Sequence, residues 1–374
     1  GVNPSRTSLE KGGFFYIIVV HISSLFTDKA YSFEDVGDNE EDKNFASMVL
    51  KKLKPDLKFS DIQTEGVYDD YDLFSLFDDE KQKYNLKISL DDSEGILKKE
   101  STALKNTKCA NIPLFLDYAK VKVGEEVTCL LTKVEEAENI RNFGRSVIFS
   151  DIDNFISCYC NVFKNSKRVR RSYNSVLDFS LKNMHFNKFL PDDSIKAFTS
   201  YTDYDLCLEF LSVLREELTD YKKQVKEHLN HKCHGNLCLE AISYNYNSFY
   251  FDFLHNVSMG HEYVDLVDIM LELGLKTEDD GRFTDLFCNK LEISYDNETY
   301  QKFYGLQIRK KLAELLISYI KEVYLYDSFR YQKIFFIADT FSQCYKRFCS
   351  IDIFKKNREF IMKTICEPIF GVKA

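Results

Sequence analysis

The chain of 374 residues contains no tryptophan, 5 prolines and 14 glycines. So few breakers argue against a meander of short strands and favour long helices. Positive charge is also in deficit: 50 Lys and Arg stand against 59 Asp and Glu, a net charge of −9. A duplex phosphate lattice or an anionic membrane is bound through clustered cations, so neither nucleic acid nor a membrane surface is an expected partner. After the first 32 residues no run reaches the roughly 18 apolar residues of a membrane-spanning helix, so no span is expected in the mature chain. The sequence has no G-x-S-x-G elbow, glycine-rich phosphate loop, H-E-x-x-H or C-x-x-C motif. Their absence lowers the expectation of an enzyme, and the sequence offers no catalytic residue and no cofactor.

Among the residues present, Phe14 to Phe26 form the most apolar stretch, too short to cross a bilayer core. With Arg6 and Lys11 before it and Ala30-Tyr31-Ser32 after it, residues 1–32 read as a signal peptide. Residues 33–108 are acidic, with Asp35 to Asp42, Asp69-Asp70, Asp78-Asp79-Glu80 and Asp91-Asp92 between short apolar clusters. Such a segment reads as a flexible, partly disordered arm carrying short helices, the best of them at Phe45 to Leu53.

From Cys109 to residue 374 the apolar density rises, and the reading is a helical domain, divisible near 230–260. Leu206, Phe210, Val213, Leu214, Leu218, Tyr221 and Val225 recur at three- and four-residue spacing and predict a helix over 203–229, capped by Asp203. Helices are predicted in the same way over 262–273 with Gly274 as the stop, and over 301–326, 331–348 and 351–365. The expected fold class is therefore mainly α, an irregular multi-helix bundle or array preceded by the acidic arm.

All eleven cysteines lie at or after Cys109. In an oxidising compartment Cys109, Cys129, Cys158, Cys160, Cys207, Cys233, Cys238, Cys288, Cys344, Cys349 and Cys366 are candidates for disulfides, with at least one left over; in the cytosol they would be buried thiols. His228, His231, Cys233, His234 and Cys238 are the densest set of metal-ligating residue types, although their spacing matches no zinc pattern and no metal is assigned. Asp151-Ile-Asp153 reads as a helix start rather than a cation site. Lys164, Lys167, Arg168, Arg170 and Arg171 form a basic run that could contact an acidic partner or lie solvated at a helix end.

Cys109-Ala-Asn-Ile-Pro-Leu-Phe-Leu-Asp-Tyr118, then Asn154-Phe155 with Tyr159, Asp178-Phe179 and Phe186-Asn187-Lys188, occur in an order that resembles the rhoptry-associated protein 1 family of piroplasm parasites. The resemblance implies a protein carried into an apical secretory organelle, the rhoptry, or released outside the cell. It would act by adhesion or scaffolding on a host-cell surface or on another secreted parasite protein. The expected function is thus a secreted, non-enzymatic antigen of host-cell invasion. The alternatives are a hydrolase or transferase of unfamiliar motif and an intracellular helical scaffold.

Overall fold

The computed structural model describes residues 40–67, 71–164, 168–184, 201–226, 229–275, 277–321 and 331–363. The chain divides into two compact units, one made of 33–183 and 216–311, the other of 1–32, 184–215 and 312–374.

In the first unit, helix α1 (Glu40–Leu53) is followed by strands β1 (Asp61–Val67), β2 (Asp72–Phe77) and β3 (Lys83–Ser89), helix α2 (Ile96–Asn106), and strands β4 (Leu114–Val123) and β5 (Glu125–Lys133). The five strands form one antiparallel sheet in the order β1-β2-β3-β5-β4. The expected fold class is corrected here: residues 40–133 are a sheet with two helices, not a disordered arm before a bundle. The acidic clusters that suggested disorder include the turns between strands. Asp78 Oδ1 accepts from the Glu80 and Gln82 amides at 3.0 and 2.9 Å, and Asp92 Oδ1 accepts from the Leu97 amide at 3.2 Å. Short acidic side chains hold such reversals by bonding their own backbone.

Alternation along the strands separates the two faces of this sheet. Phe74, Leu76, Leu86, Ile88, Val127, Cys129 and Leu131 form one core with Ala46, Val49, Leu50 and Leu53 of α1. Each large apolar side chain so buried contributes about 1.5–3 kcal/mol. The intervening positions carry Ser75, Lys87, Thr128 and Thr132, all buried and polar. Helix α2 packs near β4, β5 and the turn Leu254–Asn256.

The rest of this unit is largely helical. It contains α3 (Ile152–Phe163), α4 (Tyr173–Asn183), the end of α5 (Tyr201–Val225), α6 (Glu262–Leu273), α7 (Thr277–Leu291) and most of α8 (Asn297–Ile320). Short strands β6 (Glu138–Asn139), β8 (Ile242–Tyr244) and β9 (Phe249–Phe251) pair in the order β6-β8-β9, and β7 (His231–Cys233) pairs with β10 (Ser258–Gly260). Helix α6 is buried all round, and His261 caps it by accepting from the Tyr263 amide at 3.2 Å. A helix apolar on every face belongs in an interior. Tyr159 packs against Phe163 and Phe287 with ring centroids 4.7 and 5.2 Å apart, tying α3 to α7.

The described part of the second unit is helical, including α9 (Tyr331–Phe348) and α10 (Asp352–Ile361). Phe348 joins Phe341 and Phe354 at 5.6 and 5.5 Å. No helix among the described residues is long and apolar enough to cross a membrane. The leader read at 1–32 lies outside the described residues.

Candidate active site

Strand alternation turns Lys87 away from Leu86 and Ile88 and onto the α2 side of the sheet. Glu100 lies on the buried stripe of α2 with Ile96, Leu97, Ala103 and Leu104. Lys87 Nζ donates to Glu100 Oε1 at 2.7 Å and to Asp252 Oδ1, just beyond β9, at 3.1 Å. The ammonium also lies 4.7 Å from the centre of the Phe253 ring. Lys87 and Glu100 are fully enclosed, whereas about a quarter of the Asp252 side chain is exposed, at 24%. Burial opposes the charge on Lys87, yet Asp252 and Glu100 hold its pKa above the ordinary lysine value. Burial also pushes Glu100 up, to about 7, against the pull of Lys87. Asp252 is lowered: burial opposes its ionisation, but Lys87 and the Phe253 amide outweigh it. One ammonium shared by a buried and a partly exposed carboxylate favours a proton on the more enclosed acid.

The second component is the loop between β7 and β8. Its backbone is held from α6, where Asp265 Oδ2 accepts from the His234 amide at 2.6 Å and Oδ1 from the Gly235 amide at 2.9 Å. Tyr159 donates to the same carboxylate at 2.7 Å. Two turns further along α6, Glu272 Oε2 accepts from the Leu239 amide at 3.3 Å, so one helix grips both ends of the loop. Gly235 has φ +83°, and a Cβ there would stand 2.6 Å from the Asn256 carbonyl oxygen, which requires glycine. His234 Nε2 donates to the Asp252 carbonyl at 2.8 Å and so joins the loop to the charged cluster. Burial pushes His234 below the usual histidine value and His255 down to about 3, leaving both neutral. Between these anchors Asn236 is half-buried, and its Oδ1 accepts from Lys310 Nζ of α8 at 3.4 Å.

A small cleft of about 80 Å³ reaches Asp252, lined among others by Lys83, Asn85, Val134, Glu135, Ser243 and Tyr250. Its sheet side is polar: Lys83 pairs with Glu65 at 3.0 Å, Ser75 donates to Glu65, and Asn85 Oδ1 is buried without a hydrogen-bond partner.

Among the described residues, those singled out from sequence as metal-ligating types do not make a metal centre. His231, Cys233, His234 and Cys238 fall on β7 and the loop after it, and His228 lies outside the described residues. Their side chains have separate roles. His231 Nε2 is 3.4 Å from the Tyr159 hydroxyl, Cys233 contacts the Ser258 carbonyl at 3.5 Å, and His234 binds Asp252. Among the described residues no group of three or more His, Cys, Asp or Glu is arranged to hold a metal. Cys109, Cys129, Cys158, Cys160, Cys233, Cys238, Cys288 and Cys349 are free thiols, Cys207 and Cys344 are buried, and Cys366 lies outside the described residues. The basic run is dispersed: Lys164 pairs with Glu292 at 2.8 Å and Arg171 donates inward to the His255 carbonyl, while Arg168 and Arg170 are exposed. Lys167 lies outside the described residues. Asp151 precedes α3 as expected, and its Oδ2 accepts from Asn154 at 2.8 Å.

No family model matches the sequence, and no curated protein matches it. Solved structures do match. An amicoumacin kinase in complex with AMP-PNP and Ca2+ aligns with TM-score 0.54 at 9% identity, over 83% of this chain and 94% of that one. The choline kinase LicA from Streptococcus pneumoniae aligns with TM-score 0.50 at 13% identity, over 84% and 99%. The aminoglycoside phosphotransferase APH(4)-Ia aligns with TM-score 0.50 at 12% identity, over 82% and 97%. The chain therefore has a protein-kinase-like fold, a β-sheet N-lobe followed by a helical C-lobe. The expectation of a non-enzymatic antigen acting by adhesion or scaffolding is corrected by this fold, whose solved neighbours are phosphotransferases. Of the alternatives read from sequence, a transferase of unfamiliar motif agrees better with this finding.

Proposed function

We propose that this protein is a nucleotide-dependent phosphotransferase acting on a small molecule. The observation that carries the reading is Lys87 held between Glu100 and Asp252, the second of which lines the cleft. In kinase-fold enzymes a lysine on the third strand, paired with a helix glutamate, binds nucleotide phosphates, and an aspartate followed by phenylalanine faces the cation that travels with them. Asp252-Phe253 supplies that pair here. Phosphoryl transfer depends chiefly on positioning and on charge stabilisation, and Lys87 supplies a fixed positive charge where phosphate oxygens would lie.

The donor set suits one divalent cation rather than two. Asp252 has a partly exposed carboxylate to hold it. Where a second would need an amide oxygen, five residues after Asn236, stands the buried methyl of Ala241. A cation bound at Asp252 would neutralise phosphate charge. The protein's own contribution is to hold the phosphates with Lys87, to fix Lys87 with Glu100, and to set the loop backbone with Asp265.

The test is titration calorimetry with ATP and GTP in the presence of Mg2+, followed by transfer of labelled γ-phosphate to a panel of small acceptors. Binding of at least one nucleotide is expected, with affinity at least about tenfold lower in Lys87→Met and transfer lost in Asp252→Asn. Failure of both nucleotides to bind the folded protein would overturn the reading.

A further inference from the structure

We propose that the acceptor is an oxyanion, a carboxylate or a phosphate, rather than a neutral hydroxyl; this rests on the phosphotransferase reading and names its substrate class. In kinase-fold loops the residue two positions after the histidine is the aspartate that accepts the hydroxyl proton. That position is Asn236 here, an amide with no basic lone pair.

The orientation of the amide carries the argument further. Lys310 Nζ can only donate, so the atom of Asn236 that meets it at 3.4 Å is the carbonyl Oδ1. Nδ2, with two hydrogens to donate, then lies on the opposite side of the amide. If that amide meets the incoming oxygen where the aspartate otherwise stands, a donor there opposes an O–H that must lose its proton and complements an oxygen that only accepts.

Neighbouring groups do not replace the missing base. Asp252 Oδ1 is occupied by Lys87. His234 donates from Nε2 to the Asp252 carbonyl and its basic Nδ1 is buried out of reach of an acceptor, and Glu240 is turned to Arg141 at 3.5 Å. An acceptor that is already anionic removes the need for a base. Its oxygen forms the new bond to the γ-phosphorus of a nucleoside triphosphate. The bond from that phosphorus to the bridging oxygen breaks, and the electron pair leaves on the nucleoside diphosphate. No proton moves, and the product is an acyl phosphate or a phosphoanhydride.

The experiment compares the full chain and Asn236→Asp with labelled nucleoside triphosphate and two sets of acceptors. The oxyanion set is acetate, succinate, inorganic phosphate and glycerol 3-phosphate; the hydroxyl set is choline, kanamycin and glycerol. Hydroxylamine trapping identifies acyl phosphates, and chromatography of labelled product identifies phosphoanhydrides, so the two sources of oxyanion are separated. Wild-type protein is expected to transfer to an oxyanion faster than to any hydroxyl acceptor. In Asn236→Asp the preference reverses, with oxyanion transfer falling about tenfold or more through like-charge repulsion and hydroxyl transfer rising about 10²-fold. Thermal melting and nucleotide affinity, measured alongside, report whether the variant is folded. Faster wild-type transfer to hydroxyls, an unchanged ratio in folded Asn236→Asp, or nucleotide binding with no transfer to any oxyanion of the set would each overturn the inference. Absence of nucleotide binding would instead remove the phosphotransferase reading beneath it.

Discussion

The ionisation of Glu100 is coupled to folding. Its pKa is raised from 4.5 to about 7 because burial disfavours its charge. The folded state therefore holds a proton that the unfolded chain releases between these values. The resulting contribution to stability is present below pH 4.5 and is lost as the pH rises through about 7. In urea unfolding the stability of wild type relative to Glu100→Gln should decline across that window, whereas His255, held neutral down to about pH 3, gives both proteins the opposite trend. Lys87→Met leaves the buried Glu100 and Asp252 without their cation and should cost about 3 kcal/mol or more in the same assay. At Gly235, where φ is +83° and an added methyl would stand 2.6 Å from the Asn256 carbonyl oxygen, Gly235→Ala should destabilise by about 1–3 kcal/mol. A variant as stable as wild type would mean that the loop relaxes without resistance.

Helix α6 acts as a clamp, since Asp265 binds two loop amides and the Tyr159 hydroxyl while Glu272 binds a third amide. Asp265→Ala should leave the buried His234 and Gly235 amides unmatched, lowering stability by about 2 kcal/mol or more and weakening nucleotide binding along with it; calorimetry and urea denaturation check both. The sequence made such helices legible. The reading over 262–273 with its Gly274 stop coincides with α6, and the one over 331–348 with α9. The helix read from 203 begins at Tyr201, which puts Asp203 inside it rather than at its cap. The sheet was hidden because its strands are only six to ten residues long and carry Asp, Lys, Asn and Ser among their apolar positions. The loop was conspicuous as a histidine and cysteine cluster, but the chemistry of its neighbours drew attention to metal rather than to His234-Gly235-Asn236. A detectable signal was Asp252-Phe253 following the alternating strand Phe249–Phe251. Lys87 and Glu100 could not be paired from sequence, since the twelve residues between them include a turn whose geometry sequence does not fix.

For the whole molecule, the thiols give the most accessible measurement. Alkylation of the denatured protein without reductant should label at least the eight free cysteines, Cys109, Cys129, Cys158, Cys160, Cys233, Cys238, Cys288 and Cys349. Fewer labels would mean that pairs form in solution, and would restore the oxidising compartment to consideration. Organisation over long sequence distances also bears on the order of assembly. Lys87 and Asp252 are 165 residues apart, although their side chains meet. During synthesis the sheet and α2 can emerge and pack well before the second carboxylate has left the ribosome. Until then Lys87 has one anionic neighbour instead of two, and the lobe is competent to fold before it is competent to grip phosphate. Completion of this cluster thus makes the arrival of distant chain a checkpoint between having shape and having activity.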